Sequence, residues 1–157
     1  MKEKLHVYAL MAEIISAIAI VFSLVFVGFQ IRENTISSQA DTYQGIAAMD
    51  VEILLEFSST PDKARIINIY RESPESLVGD EKAQGANMFL VEVRHVENLF
   101  LQHQMGMLSE ESWGTREALV TGMILTPAFS SFLQGESKKY FSGIFIDYAL
   151  QIRSENK

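Results

Sequence analysis

From Ile14 to Ile31 the chain reads IISAIAIVFSLVFVGFQI, a run without a single charge. Only Ser16, Ser23 and Gln30 bring strongly polar groups into it. A helix rises 1.5 Å per residue, so about 18 such residues reach about 27 Å, close to the thickness of a bilayer's hydrocarbon core. Charges stand at both ends, Glu13 before the run and Arg32 with Glu33 after it. One membrane-spanning helix near the N-terminus is therefore expected, retained in the mature protein. A cleaved export signal fits less well. Ser38 and Ala40 are small enough for a cleavage site, but Arg32 and Glu33 interrupt the approach to it, and the apolar core is longer than such signals carry.

Charge is unevenly placed around this run. Of the net charge of −7, residues 1–32 contribute +1, from Lys2, Lys4 and Arg32 against Glu3 and Glu13, which leaves −8 for the rest. An acidic domain without a basic cluster does not suit nucleic acid, whose binding needs Lys and Arg to displace phosphate counterions. The chain has no Cys, so disulfides, zinc–thiolate sites, iron–sulfur clusters and thiol nucleophiles are all excluded. Lys2 and Lys4 precede the run, while only Arg32 follows closely before Lys63. The positive-inside rule leans by that single charge toward a cytoplasmic N-terminus and an exported domain.

Past the run no stop signal ends the helix. From Arg32 to Phe57 there is no Pro, and apolar residues recur at Ile46, Met49, Ile53 and Phe57. The spacing predicts one long helix over residues 5–57, with the polar stretch Glu33–Gln44 as the place for a bend. Ser59-Thr60-Pro61-Asp62 then restarts a helix to about Glu72, with a hydroxyl cap, Pro in the first turn and an acid facing the helix dipole. Asp80 is read as the cap of a helix to Met105, whose inner face is Phe89, Val93, Val96, Phe100 and His103, closed by Gly106. Ser109 caps the next helix, carrying Trp113, Leu119, Val120 and Met123. Thr126-Pro127 starts a short one to Leu133, and a last one covers Ile144–Arg153. No stretch alternates with period two. The expected fold class is all-α: an N-terminal transmembrane helix continuing into a long stalk helix, with a small helical bundle domain. The expected organisation is 1–32 for the N-terminal segment and span, 33–58 for the stalk and 59–157 for the bundle.

The segment AEIISAIAIVFSLVFVGFQIRENT resembles the opening of a widespread, uncharacterised family of small bacterial single-pass membrane proteins. In that family the spanning helix ends in a Q-I-R-x-N-T-like motif, here Gln30-Ile31-Arg32-Glu33-Asn34-Thr35. The later block is similar too, in Glu97-Asn98-Leu99-Phe100, Gln104, Gly106-Met107-Leu108, Trp113, Pro127 and Phe141. Residues 58–85 carry no part of it, and the family's frequent Trp is Phe132 here. The resemblance implies architecture and place alone: a bacterial inner-membrane anchor followed by an all-helical domain. It implies no activity, cofactor or catalytic residue. The family's post-helix segment is often more basic, which favours a cytoplasmic domain, so the side of the C-terminal domain stays open.

Few residues invite chemistry. Glu92-Val93-Arg94-His95 is an E-x-x-H, the spacing that turns a carboxylate and an imidazole toward a metal pair in di-iron bundles. Such a site needs a second copy, and neither His6 nor His103 has a Glu three residues earlier, so Glu92 and His95 are read as half-exposed surface residues. No Ser stands in a G-x-S-x-G setting and no Gly-rich phosphate loop appears. Glu13 reads as an acid at headgroup depth. The aromatics Phe129, Phe132, Tyr140, Phe141, Phe145 and Tyr148 read as the core that closes the bundle.

One pattern does suggest a role. Ala12, Ser16, Ala19 and Ser23, spaced four, three and four apart, form a ridge of small residues that would let helices approach closely in lipid. Bulky Ile15, Phe22, Phe26 and Phe29 read as the opposite side. The expected function is non-enzymatic: self-assembly or scaffolding at the membrane, with no cofactor and no metal. The expected partners are the lipid bilayer and further copies of the chain, with room for an unidentified protein partner. The alternatives are a pore subunit, with Ser16, Ser23 and Gln30 toward a lumen, and a helical metal-binding enzyme around Glu92 and His95.

Overall fold

A computed structural model describes residues 2–156 and, within them, every side chain but that of Glu3. Six α-helices and two short 3₁₀ turns make up the fold, with no strand among the described residues. The all-α class is as the sequence predicts. Helix α1 is Lys2–Ser58, α2 Pro61–Glu72, α3 Gly79–Gln104, α4 Glu110–Ile124, α5 Pro127–Gln134 and α6 Gly143–Glu155. The 3₁₀ turns are Pro74–Ser76 and Glu136–Tyr140. The chain divides into two compact units, 1–40 and 41–157.

The first unit is α1 alone. Its described side chains are all exposed apart from Gln39, and this includes every apolar one from Leu5 to Ile36. The helix is long and apolar enough to cross a membrane, and none of its most apolar stretch is buried by protein. The polar segment 33–44, where a bend was expected, is helical throughout. Within it the Thr35 hydroxyl is satisfied by donating back to the Ile31 carbonyl at 3.0 Å.

The second unit takes in residues 41–58 of α1, so the latter part of the predicted stalk belongs to the bundle. Ile46 and Phe57 are buried there, with Ile53 packed beside them. The core comes from the inner face of α3 (Phe89, Val93, Val96, Phe100), from Val120 and Ile124 of α4, and from the aromatic group Phe129, Phe132, Phe141 and Phe145. Phe129 and Phe145 meet edge to face at 6.3 Å, and Phe132 meets Phe141 in the same way at 5.0 Å.

The caps follow the sequence closely. Thr60, Ser109, Thr126 and Ser142 each accept a backbone N–H from the first turn of the helix they precede. Gly106 takes φ +72 just past α3, a left-handed position suited to glycine. At the other end of α3 the expectation shifts by a residue or two: Asp80 lies within the first turn, and Val78 occupies the cap without a side-chain bond. Gly85 lets α2 approach α3 closely, since a Cβ there would stand 2.7 Å from the Tyr70 ring.

Candidate functional site

In the first unit, Ala12, Ser16, Ala19 and Ser23 are all exposed, on a helix with 3.6 residues per turn. That periodicity brings the four within a strip about 60° wide. It also corrects the reading of the bulky residues. Ile15, Phe22, Phe26 and Phe29 stand about 50–110° round from the ridge, beside it and not opposite. The far side is Ile14, Ala17, Val21 and Val25, about 130–170° away.

In the second unit three of the ion-paired groups include a largely buried carboxylate or imidazole. The first joins three helices. Asp50 of α1 places one carboxylate oxygen 2.6 Å from His95 Nε2 of α3, and accepts from Arg116 Nη1 of α4 at 2.7 Å on the other. His95 is only 8% exposed, and its Nδ1 is buried without a hydrogen-bond partner. Arg116 also lies 5.7 Å from the ring centre of Tyr43. The second group pairs Arg71 of α2 with Glu92 of α3 through two N–H donors, while Asn68 accepts a third at 3.0 Å. The third is centred on Glu97, 3% exposed. One of its oxygens accepts the backbone N–H of Ser142 at 2.6 Å, at the entry to α6, and the other accepts from Arg94. The Arg94 guanidinium lies 3.9 Å over the Phe141 ring and donates to the Tyr140 carbonyl at 3.1 Å.

These contacts account for the residues singled out in the sequence. Glu92 and His95, expected to be half-exposed, are largely buried and face different partners, Arg71 and Asp50. Among the described residues no group of three or more His, Asp or Glu is disposed to hold a metal ion. His103 stacks on Trp113 at 4.4 Å. Within the block from Glu97 to Phe141, Glu97, Leu99, Phe100, Leu108, Trp113 and Phe141 are buried, and Pro127 starts α5. Sequence reasoning missed Asp50. The signal was its register: Ile46, Asp50, Ile53 and Phe57 fall on one helix face, and an acid in such a row needs a partner.

Two clefts flank α1 within the second unit. One, of about 1230 Å³, lies between residues 48–57 of α1 and 87–98 of α3. The other, of about 710 Å³, is bounded by α1, α2, α3 and α4 and carries the Arg71–Glu92 pair on its wall. Burial raises the Tyr70 phenol above its ordinary value, and raises that of Tyr148 with help from Glu117 and Glu155. No protein family, no characterised protein and no solved structure matches the chain.

Proposed function

We propose that the protein is a non-enzymatic, membrane-anchored assembly or scaffolding element that associates with further copies of itself. One observation carries this reading: within the first unit, residues 14–31 form a helical stretch apolar on all sides and covered by nothing among the described residues. In water such a surface is unstable, whereas in lipid it is solvated and every backbone group is satisfied within the helix. The resemblance to bacterial single-pass anchors supports an inner-membrane location. The ridge Ala12, Ser16, Ala19 and Ser23 supports self-association, since close backbone packing and hydroxyl contacts favour helix pairing in lipid. In the second unit, Glu92, His95 and Asp50 are engaged in ion pairs between helices, and Glu97 pairs with Arg94 on its own helix and accepts the Ser142 N–H at the entry to α6, a structural use of polar groups.

The test has two parts. Carbonate-washed membranes should retain the protein with its N-terminal segment intact by mass; a soluble product beginning near Asp41 would overturn the anchor. Ala19→Leu/Ser23→Leu should then reduce the oligomer seen by mass photometry. Ala17→Leu/Val21→Leu on the far side should leave it unchanged. Equal oligomer in both variants would remove the ridge from the account.

A further inference from the structure

The larger cleft is lined by apolar side chains that nothing among the described residues covers. Its walls leave Val51 and Leu55 of α1 exposed at 55% and 64%, and Leu90 and Val91 of α3 at 36% and 47%. A contiguous apolar patch of this kind on a folded unit marks a surface that something covers. Size indicates what kind of object does so. A helix about 10 Å across, rising 1.5 Å per residue, fills about 120 Å³ per residue. The cleft's 1230 Å³ therefore holds about three turns, and its α1 wall runs over a similar length, residues 48–57. This exceeds the usual range of small-molecule pockets, about 300–1,000 Å³.

The walls also differ in charge. The α1 wall carries Glu52 and Glu56. Glu56 is paired with Lys63, but the Glu52 carboxylate has no partner among the described residues. The facing α3 wall carries Arg94, whose side chain is 54% exposed and keeps open donors beyond its bonds to Glu97 and the Tyr140 carbonyl and its place over the Phe141 ring. An entering helix should thus be apolar and present an acid toward Arg94. Residues 48–57 of α1 themselves have that character, with Val51 and Leu55 flanking Glu52.

We infer that the cleft is filled by the same stretch of α1 from a second copy of the chain. The contact is reciprocal: each copy's α1 enters the other's cleft, Glu52 of one meets Arg94 of the other, and a two-fold axis makes each contact twice. Four helices, α1 and α3 of both copies, then enclose the four aliphatic side chains of each copy, eight in all. The inference rests on the proposed function for the membrane that holds two copies side by side with their helices running the same way. It uses none of the ridge residues.

The absence of Cys makes the test direct, because any introduced thiol is the only one in its chain. Full-length Glu52→Cys and Arg94→Cys proteins, carrying different tags, are co-expressed, and membranes are oxidised under mild conditions. A mixed disulfide several-fold above that of a Glu75→Cys/Glu110→Cys control pair is expected. Should Arg94→Cys not fold, Leu90→Cys, one turn earlier on the same wall, takes its place. If neither α3 position crosslinks to Glu52→Cys above control while a Ser23→Cys pair does, the cleft contact is wrong and the membrane ridge stands. If the Glu52–Arg94 pair crosslinks above control while a Ser23→Cys pair does not, the cleft contact stands and the ridge falls. If neither pair crosslinks, both fall.

Discussion

The two units use the same side chains to opposite ends. Phe22, Phe26 and Phe29 in the first are 61–71% exposed, whereas Phe129 and Phe145 in the second are fully buried. In the second unit the α-helices turn apolar residues of one face into a shared core. In the first, apolar residues encircle the helix. The difference teaches that hydrophobicity alone does not make a core. An amphipathic helix is completed by other helices, while a stretch apolar all round and uncovered by protein is long and apolar enough to be completed by lipid. The two units part within α1 at Asp41, ten residues beyond the end of the apolar run at Ile31.

The strongest way to break this contrast is to exchange the perturbations. Phe129→Ala should destabilise the second unit by about 3–5 kcal/mol, from lost burial and the cavity left behind, and should leave membrane retention unchanged. Val21→Arg should do the reverse. A charge at the centre of a span opposes insertion by about 2.5–3.5 kcal/mol, so the protein should be lost from carbonate-washed membranes while its bundle keeps its unfolding midpoint. Denaturant unfolding in detergent and membrane fractionation read the two outcomes. If Phe129→Ala released the protein from membranes, the units would not be separable in this way.

A smaller effect is expected at Glu97. Glu97→Ala leaves the Ser142 N–H and part of Arg94 without an acceptor, and should cost about 1–3 kcal/mol in the same unfolding experiment. Glu97→Gln, which keeps an acceptor for Ser142, should lose less. Gly85→Ala should cost about 1–3 kcal/mol as well, because the added methyl meets the root of the Tyr70 ring. A neutral result there would mean that α2 and α3 can separate freely.

How far the sequence disclosed this arrangement varied by element. The cap-plus-proline signals at Thr60-Pro61 and Thr126-Pro127, the serine caps at 109 and 142 and the glycine at 106 are local chemistry, and each marks a boundary that forms. The inner face of α3 was readable from periodicity. The polar groups were not. Asp50, His95 and Arg116 lie 45 and 66 residues apart along the chain in the pairs they make, and nothing local announces such a meeting. Met49 was taken as an inner residue of α1, yet it is 42% exposed, and Asp50 beside it holds the inward position. The 3₁₀ turn Glu136–Tyr140 also went unread, since ESKKY carries no pattern beyond a polar connection.

The mildest prediction concerns alkaline pH. Burial holds the phenols of Tyr70 and Tyr148 protonated above their ordinary 10.0, with Glu117 and Glu155 adding to the effect at Tyr148. In the native state they keep protons that the unfolded chain gives up. The stabilisation is therefore full below pH 10 and is lost as pH rises through the native values. Unfolding midpoints should fall above pH 10, and less steeply in Tyr148→Phe. That variant should be near neutral at pH 7, because the Tyr148 hydroxyl has no hydrogen-bond partner to lose among the described residues.

The contrast between the units is tested most directly by asking which residues meet water. Single cysteines at Val21 and at Glu75, in an otherwise thiol-free chain, can be exposed in proteoliposomes to a small membrane-permeant maleimide. Only a thiol that ionises in water reacts at an appreciable rate, so the measurement does not depend on which side the second unit occupies. The account predicts rapid labelling of Glu75→Cys and little labelling of Val21→Cys, rising when denaturant and detergent remove the lipid. Equal labelling of the two in intact vesicles would contradict it.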